Sequence, residues 1–95
     1  MELEFSVQYH KDVLDNDILK LSQTWKKKIK VAIENKLTTE PETFGKPLRR
    51  SLKGYRKLRV GDYRVIFRLE KKTVKILAIL HRSIVYKETK YRYLE

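Results

Sequence analysis

The sequence predicts a single α+β domain over residues 1–95, with an N-terminal strand, a two-helix hairpin and a three-stranded antiparallel meander packed on the helices. Three observations lead to this fold class. The chain of 95 residues is long enough for one domain with one modest core. Its first half changes from a short, partly alternating pattern to the apolar spacing of helices. Its second half holds three strand-like stretches separated by two-residue turns.

The N-terminal half predicts one strand and two helices. Residues 3–10 (LEFSVQYH) alternate in part and contain few residues that break a strand. The apolar residues that follow have helical spacing: Leu14, Ile18, Leu21, Trp25, Ile29, Ala32, Ile33 and Leu37. Because SQT at 22–24 can cap a new helix, we predict helices over about 11–20 and 23–37, with one long helix as the alternative.

A loop and three strands make up the next part of the chain. Residues 38–47 (TTEPETFGKP) hold both prolines and one of the three glycines, which predicts a connection that continues through PLRRSLKG. Strands are predicted over 55–60, 63–70 and 73–81, with hairpin turns at Gly61-Asp62 and Lys71-Lys72. The tail KETKYRYLE is compatible with a frayed end, a short helix or an edge strand.

The two turns predict which residues oppose one another in the meander. The predicted pairs are Val60 with Tyr63, Arg59 with Arg64, Leu58 with Val65, Lys57 with Ile66, Leu69 with Val74, Phe67 with Ile76, and Val65 with Ala78. One face then becomes apolar and receives the helices; it comprises Leu58, Val60, Val65, Phe67, Leu69, Val74, Ile76, Ala78 and Leu80.

The opposite face of the meander is called the basic face here. It comprises Tyr55, Lys57, Arg59, Arg64, Arg68, Lys75 and His81, with Ile66, Leu77 and Ile79 between them. The chain has a net charge of +11, and residues 46–68 hold nine basic residues against one acidic residue. Opposed like charges such as Arg59 and Arg64 destabilise a sheet, and a bound anion relieves the repulsion. A polyanionic partner is therefore predicted, with a solvated sheet surface as the alternative.

Nucleic acid is a polyanion that suits this face. Arginine and lysine neutralise phosphates, and Tyr55 and Tyr86 offer rings on which unpaired bases stack. RNA also carries its own nucleophile, the 2′-OH, so a protein cleaves it mainly by alignment and charge stabilisation. Lys57 is a candidate general base, because neighbouring positive charges favour a neutral amine.

Other classes of function lack support in the composition. The chain has no cysteine and only two histidines, so we predict no metal site and no cofactor. No apolar stretch approaches the roughly 20 residues of a membrane span, and the N-terminus lacks the pattern of a secretory signal. We expect a cytoplasmic protein without a membrane partner. Walker, dinucleotide and HExxH motifs are also missing from the sequence.

The stretches LKGYRKLRVGDYRVIFRL and VKILAILHRSIVY resemble the signature of the RelE/ParE toxin superfamily, particularly its RelE branch. The similarity extends over nearly the whole chain and implies a RelE-like fold. It implies the toxin of a type II toxin–antitoxin pair, an endoribonuclease that cleaves mRNA in the A site of the 70S ribosome without metal. It also implies an acidic, RelB-like antitoxin as partner. A ParE-like toxin that binds DNA gyrase, or a basic nucleic-acid-binding module, are the alternatives.

The resemblance also implies roles for four residues. Lys57 contributes to deprotonation of the 2′-OH, Arg64 holds the phosphate, Arg82 acts at the leaving 5′-oxygen, and Tyr86 orients a nucleotide. The strand pattern adds four RNA-binding residues: Tyr55, Arg59, Arg68 and His81, the last also a rival acid–base group.

The chain departs from the family pattern in two places. The best-known RelE has a second lysine where Tyr55 stands here, and its arginine-to-tyrosine interval is two residues longer than that from Arg82 to Tyr86. Strand alternation also places Arg82 on the core face. The last strand must therefore end or bulge near His81 if Arg82 is to reach the site.

Overall fold

A computed structural model describes residues 5–48, 52 and 54–93 and confirms the α+β fold class. The strands are β1 (Ser6–Tyr9), β2 (Lys46–Pro47), β3 (Arg56–Val60), β4 (Tyr63–Glu70) and β5 (Thr73–His81). They form one sheet in the order β1-β5-β4-β3-β2. β1 runs parallel to β5, and the other neighbours are antiparallel. The helices are α1 (Gln23–Ala32), α2 (Pro41–Phe44) and α3 (Val85–Tyr93).

Two helical segments follow β1. The first has wide, π-type turns over Val13–Asp17 and a tight turn over Ile18–Lys20; the second is α1, which continues in π-type turns over Ile33–Leu37. The side-chain oxygen of Ser22 accepts a hydrogen bond from the N–H of Trp25 and so begins α1. Both predicted helices are confirmed, and the single long helix is wrong. Within the described ranges, no helix has the length and apolar content needed to cross a membrane.

The predicted loop over 38–47 contains one short helix and one short strand. Pro41 lies in the first turn of α2, where a missing N–H costs no helical hydrogen bond. β2 pairs with β3 at the edge of the sheet, a position that tolerates Pro47. Parts of three predicted elements lie outside the described residues: 3–4 of the first strand, 49–51 and 53 of PLRRSLKG, and 94–95 of the tail.

Both predicted hairpin turns are present. Gly61 has φ of +58° and Lys71 has φ of +59°. A Cβ at position 61 would overlap the ring of Trp25, so glycine is needed there for contact as well as for conformation. Trp25 is half-buried against the core on the helix side and packs on Tyr63, with ring centroids 4.9 Å apart.

A bulge in β5 changes the predicted register. The pairs between β3 and β4 are as predicted, and so are Leu69 with Val74 and Phe67 with Ile76. Ile66 then pairs with Ala78 and Val65 with Ile79, which leaves Leu77 as the extra residue. The predicted pairing of Val65 with Ala78 is therefore wrong. Side chains of β5 beyond the bulge point to the faces opposite to those predicted.

Both faces of the sheet are covered by buried residues. On the helix side the core comprises Leu58, Val65, Phe67, Val74, Ile76 and Ile79 with Val13, Leu21, Ile29, Ile33 and Leu37. On the other side a smaller cluster comprises Ile66, Leu77, Ala78, Leu80 and Val85. The predicted positions of Ala78 and Leu80 on the helix face are thus wrong because of the bulge. The tail forms α3, and Val85 packs α3 on this second cluster.

An ion pair closes the part of β5 that β1 does not cover. The pairing of β1 ends at Ile76. Beyond it, the N–H of Ile79 donates to Asp17 Oδ2 (2.9 Å), and Arg92 Nη1 donates to the carbonyl of Leu77 (3.0 Å). Two hydrogen bonds of 2.7 Å join Arg92 to Asp17 and raise the pKa of Arg92. We call this pair the Asp17–Arg92 clamp; it satisfies backbone groups that β1 leaves unpaired and fastens α3 to the helical layer.

Candidate nucleic-acid interface

Three cationic side chains lie together on the sheet face opposite the helices. Lys57 and Arg59 flank the buried Leu58 along β3, and Arg64 of β4 lies directly opposite Arg59. The predicted pairing of the two arginines is confirmed. Among the residues that the structure describes, neither guanidinium forms an ion pair with a carboxylate. A bound anion would relieve the repulsion between the two guanidinium groups, and this relief favours anion binding.

Arg64 is held against the turn between β3 and β4. Its Nη1 donates to the carbonyls of Gly61 and Tyr63, both at 2.9 Å. These bonds fix the guanidinium group, which has five N–H donors in total. The remaining donors can bind a phosphate without a prior search among side-chain conformers.

Lys57 and Tyr86 meet although they are 29 residues apart in the sequence. Val85 is buried in the second cluster and thereby fixes the first turn of α3 on the sheet. Tyr86 then reaches β3, where Lys57 Nζ donates to its hydroxyl at 3.1 Å. The same amine lies 5.7 Å from the centre of the tyrosine ring. Tyr86 remains 39% exposed, so part of its ring is open to a ligand.

Arg82 is exposed at the end of β5. Its N–H donates to the carbonyl of Asp62 (2.8 Å), which places it at the same turn that Arg64 contacts. Its Nε lies 3.9 Å from Asp62 Oδ1, and both side chains are 62% exposed. β5 ends at His81, which is one of the two predicted alternatives, and an unpredicted bulge at Leu77 brings Leu80 to the basic side. An exposed pair of this kind is weak, so a phosphate can replace the carboxylate.

A cleft of about 270 Å³ lies beside these residues. It is lined by five cationic side chains, Lys36, Lys46, Lys57, Arg59 and Arg64, together with Phe44 and Leu58. None of the lining residues is a carboxylate. Sequence reasoning missed Lys36 and Lys46. Lys46 pairs with Lys57 across β2 and β3, but a two-residue strand has no periodicity from which to predict it.

Arg68 and Tyr55 lie away from this cleft. Arg68 forms an ion pair with Glu70 at 3.0 Å, and Lys75 contacts the same carboxylate at 2.8 Å. The hydrogen bond and charge of Lys75, with the charge of Arg68, lower the pKa of Glu70. Tyr55 is half-buried and packs on the second cluster. Their predicted roles in binding RNA stay predictions.

His81 lies on the helix side of the sheet. It pairs with Tyr63 and meets its ring edge-on, with ring centroids 5.5 Å apart, and Tyr63 belongs to the core on the helix side. Its Nδ1 accepts a hydrogen bond from the N–H of Ser83 and lies 2.8 Å from the hydroxyl of that residue. The predicted placement of His81 on the basic face is therefore wrong, because the bulge reverses the facing of this part of β5.

The assembled groups suit the binding of phosphates. Over the part of the chain that the structure describes, no group of three histidine, aspartate or glutamate side chains is placed to hold a metal ion. The cleft instead offers amines and guanidinium groups, with one phenol at its border through Lys57. Such groups bind phosphate oxygens and stabilise charge that develops on them.

Known proteins with similar sequences are toxins. A family model described as the ParE toxin of type II toxin–antitoxin systems, parDE, matches residues 7–86. Toxin RelG of Mycobacterium tuberculosis strain H37Rv is 45% identical over 53 residues, which cover 54% of this chain and 61% of that protein. The match thus spans about three fifths of the length of this relative.

Solved structures give the same result for the fold. The toxin–antitoxin complex RelBE2 from Mycobacterium tuberculosis contains a chain with 30% identity and a TM-score of 0.78, covering 87% of this chain and 97% of that one. YafQ from E. coli strain BL21(DE3) has 22% identity and a TM-score of 0.56, covering 86% of this chain and 98% of that one. At this identity YafQ supports the fold only.

Proposed function

We propose that the chain, which belongs to the ParE toxin family of type II toxin–antitoxin systems, is an endoribonuclease toxin that cleaves ribosome-bound mRNA without a metal ion. The main support for this proposal is the cleft, which is lined by five cationic side chains and by no carboxylate. Lys57 lines it and bonds to Tyr86.

The family resemblance and the contacts of these groups support the following reaction. The Lys57 amine accepts the proton of the RNA 2′-OH, and the 2′-oxygen attacks the adjacent phosphorus. The bond from phosphorus to the 5′-oxygen breaks, leaving a 2′,3′-cyclic phosphate and a 5′-oxygen that takes a proton from water to become a hydroxyl. Arg64 holds the non-bridging oxygens, and Arg82 stabilises the charge on the leaving oxygen. Tyr86 packs on a base and keeps the nucleotide in line.

An acidic antitoxin is the proposed protein partner. The similar chain in RelBE2 was solved in a toxin–antitoxin complex. Residues 46–68 of this chain carry nine basic residues against the single Asp62. A partly disordered acidic chain that folds on this surface would neutralise the charge and block access of RNA to the cleft.

Induced expression in a bacterial host tests the proposed activity. Growth is followed, and primer extension maps cleavage in several mRNAs for the wild type, Arg64→Ala and Arg82→Ala. We expect arrest with new cleavage sites inside translated frames for the wild type and loss of both effects in the two variants. Lys27→Ala is the matched control, because it removes a positive charge from an exposed position on α1. It should cleave like the wild type.

The description of the matching family as ParE supports a second candidate, a toxin that binds DNA gyrase and has no catalytic activity of its own. Growth arrest with intact mRNA would support this candidate and contradict the ribonuclease. Absence of arrest in a host that accumulates the folded protein would favour a basic nucleic-acid-binding module.

A further inference from the structure

Helix α3 divides into a buried side and an exposed side. Val85 and Thr89 are buried, and the side chain of Arg92 is 9% exposed in the Asp17–Arg92 clamp. These positions follow the spacing of one helical face. The exposed side comprises Tyr86, Lys87, Lys90 and Tyr91, which we call the α3 tyrosine–lysine face.

This face has the composition of a nucleic-acid surface rather than of an ordinary solvated helix. The four residues line one concavity of about 430 Å³, and Tyr91 is 65% exposed. No carboxylate lines the concavity, since Glu88 lies on the half-buried side of the helix. Among the described residues, Lys87, Lys90 and Tyr91 make no side-chain hydrogen bond or ion pair. Exposed aromatic rings beside unpaired cations are typical of surfaces that bind single-stranded nucleic acid.

We infer that the α3 tyrosine–lysine face binds the single-stranded RNA next to the bond that is cleaved, with a base stacked on Tyr91 and phosphates held by Lys87 and Lys90. The inference rests on the proposed function and extends its substrate site. Continuity with the cleft supports it, because Tyr86 belongs to this face and also contacts Lys57. Five residues of helix advance about 7.5 Å along the axis, a rise comparable with two stacked nucleotide steps.

The chemistry favours RNA over an acidic protein as the occupant. Two lysines would serve either partner equally well. The ring of Tyr91, which is 65% exposed at the far end of the face, contributes most to binding affinity when a flat base can stack on it. Loss of one stacking ring is expected to weaken binding by about tenfold in Kd.

Length-dependent RNA binding tests the inference. Fluorescence anisotropy measures Kd at low salt for 2′-O-methyl oligonucleotides, which cannot be cleaved, of about 4 and about 12 nucleotides. We expect Tyr91→Ala to weaken binding of the longer oligonucleotide about tenfold and to leave the shorter one unchanged. Tyr91→Phe keeps the ring and should bind both like the wild type. Lys90→Ala removes one positive charge from the α3 tyrosine–lysine face. Its Kd is compared with that of Lys27→Ala, which removes one positive charge from α1.

Several results would overturn the inference. These are equal affinity of Tyr91→Ala and wild type for the longer oligonucleotide, equal losses at both lengths, or no binding of either by the wild type. Weakened binding of the acidic antitoxin alone would assign the face to that partner instead. Circular dichroism of each variant verifies that the helix content is unchanged.

Failure of the proposed function would look different. Suppose that Arg64→Ala still cleaves mRNA in cells, and that Tyr91→Ala loses affinity for the longer oligonucleotide but not for the shorter one. The assigned cleavage mechanism would then be wrong, and the inference about the α3 tyrosine–lysine face would hold.

Discussion

Replacing Arg92 by methionine is the most informative perturbation of the fold. Methionine retains much of the side-chain volume and removes the guanidinium from the Asp17–Arg92 clamp. The substitution deletes the two 2.7 Å bonds to Asp17 and the 3.0 Å bond to the carbonyl of Leu77. It leaves a carboxylate that is 1% exposed without its cation.

The expected loss in the free energy of unfolding comes from the Asp17 carboxylate, which stays buried without its cation. Removing one partner of a buried ion pair costs about 3–5 kcal/mol, chiefly because the other charge stays without compensation. Whole domains of this size are stable by only about 5–15 kcal/mol, so Arg92→Met removes a large share. For a domain of about 100 residues the melting temperature then falls by more than about 10 °C. The pKa of Arg92 is raised above the ordinary value of arginine, so its guanidinium is charged at both pH 6 and pH 8. The stability that this charge contributes is lost only when the pH rises through the raised pKa, so titration of Arg92 does not change the effect of Arg92→Met between pH 6 and pH 8.

Urea denaturation followed by circular dichroism measures the effect. The matched variant is Asp17→Asn with Arg92→Met, in which the amide oxygen still accepts the N–H of Ile79 and no charge is buried. We expect this double variant to be more stable than Arg92→Met by about 1–3 kcal/mol. If Arg92→Met does not fold, recovery of folding by the double variant carries the same conclusion. A free energy of unfolding for Arg92→Met within about 1 kcal/mol of wild type would refute the reasoning.

The remaining predictions concern four single positions. Gly61→Ala should lower the free energy of unfolding by about 2 kcal/mol, because of positive φ and overlap with Trp25; an unchanged urea midpoint would contradict this. Thr89→Val should raise it by about 1 kcal/mol, since the buried Thr89 hydroxyl has no hydrogen-bond partner among the described residues; a lower melting temperature would count against that reading. Lys57→Ala should slow single-turnover cleavage on programmed ribosomes by about 10²–10⁴-fold, and Tyr86→Phe, which keeps the ring, should slow it less. Equal rates for Lys57→Ala and wild type would remove Lys57 from the mechanism.

Much of the fold could be predicted from local patterns. Two-residue turns leave little freedom in pairing, so Gly61-Asp62 sufficed to predict the opposition of Arg59 and Arg64. Helical spacing and the cap at Ser22 similarly predicted both helical segments. The cationic part of the site followed from the same alternation, because β3 and β4 pair without irregularity.

The bulge in β5 could not be predicted, for a physical reason. Residues 76–80 read ILAIL, and both faces of the sheet at this strand are buried. Either facing therefore satisfies burial, and no polar residue marks the extra position at Leu77. The placement of His81 failed as a consequence.

Long-range polar contacts were equally out of reach. Asp17 and Arg92 are 75 residues apart, and each looks like an ordinary charged residue of a surface helix. The sequence left three possibilities for the tail that contains most of α3: a frayed end, a short helix or an edge strand. The buried side of α3 has only one strongly apolar residue, Val85, so its pattern did not favour a helix. With so little apolar content, its position depends on the clamp.

The parallel pairing of β1 with β5 joins the two ends of the sheet's sequence, so the complete sheet forms late in synthesis. Ser6 contacts Thr73, 67 residues later, and β1 lies at the end of the sheet beside β5. Contacts of such sequence separation form late, after a long loop has closed. β5 and α3 follow β3 and β4 in the chain, and they carry Arg82 and Tyr86. Lys57 and Arg64 are therefore synthesised first, and Tyr86 joins Lys57 only after β5 and α3 have been made and packed on the sheet.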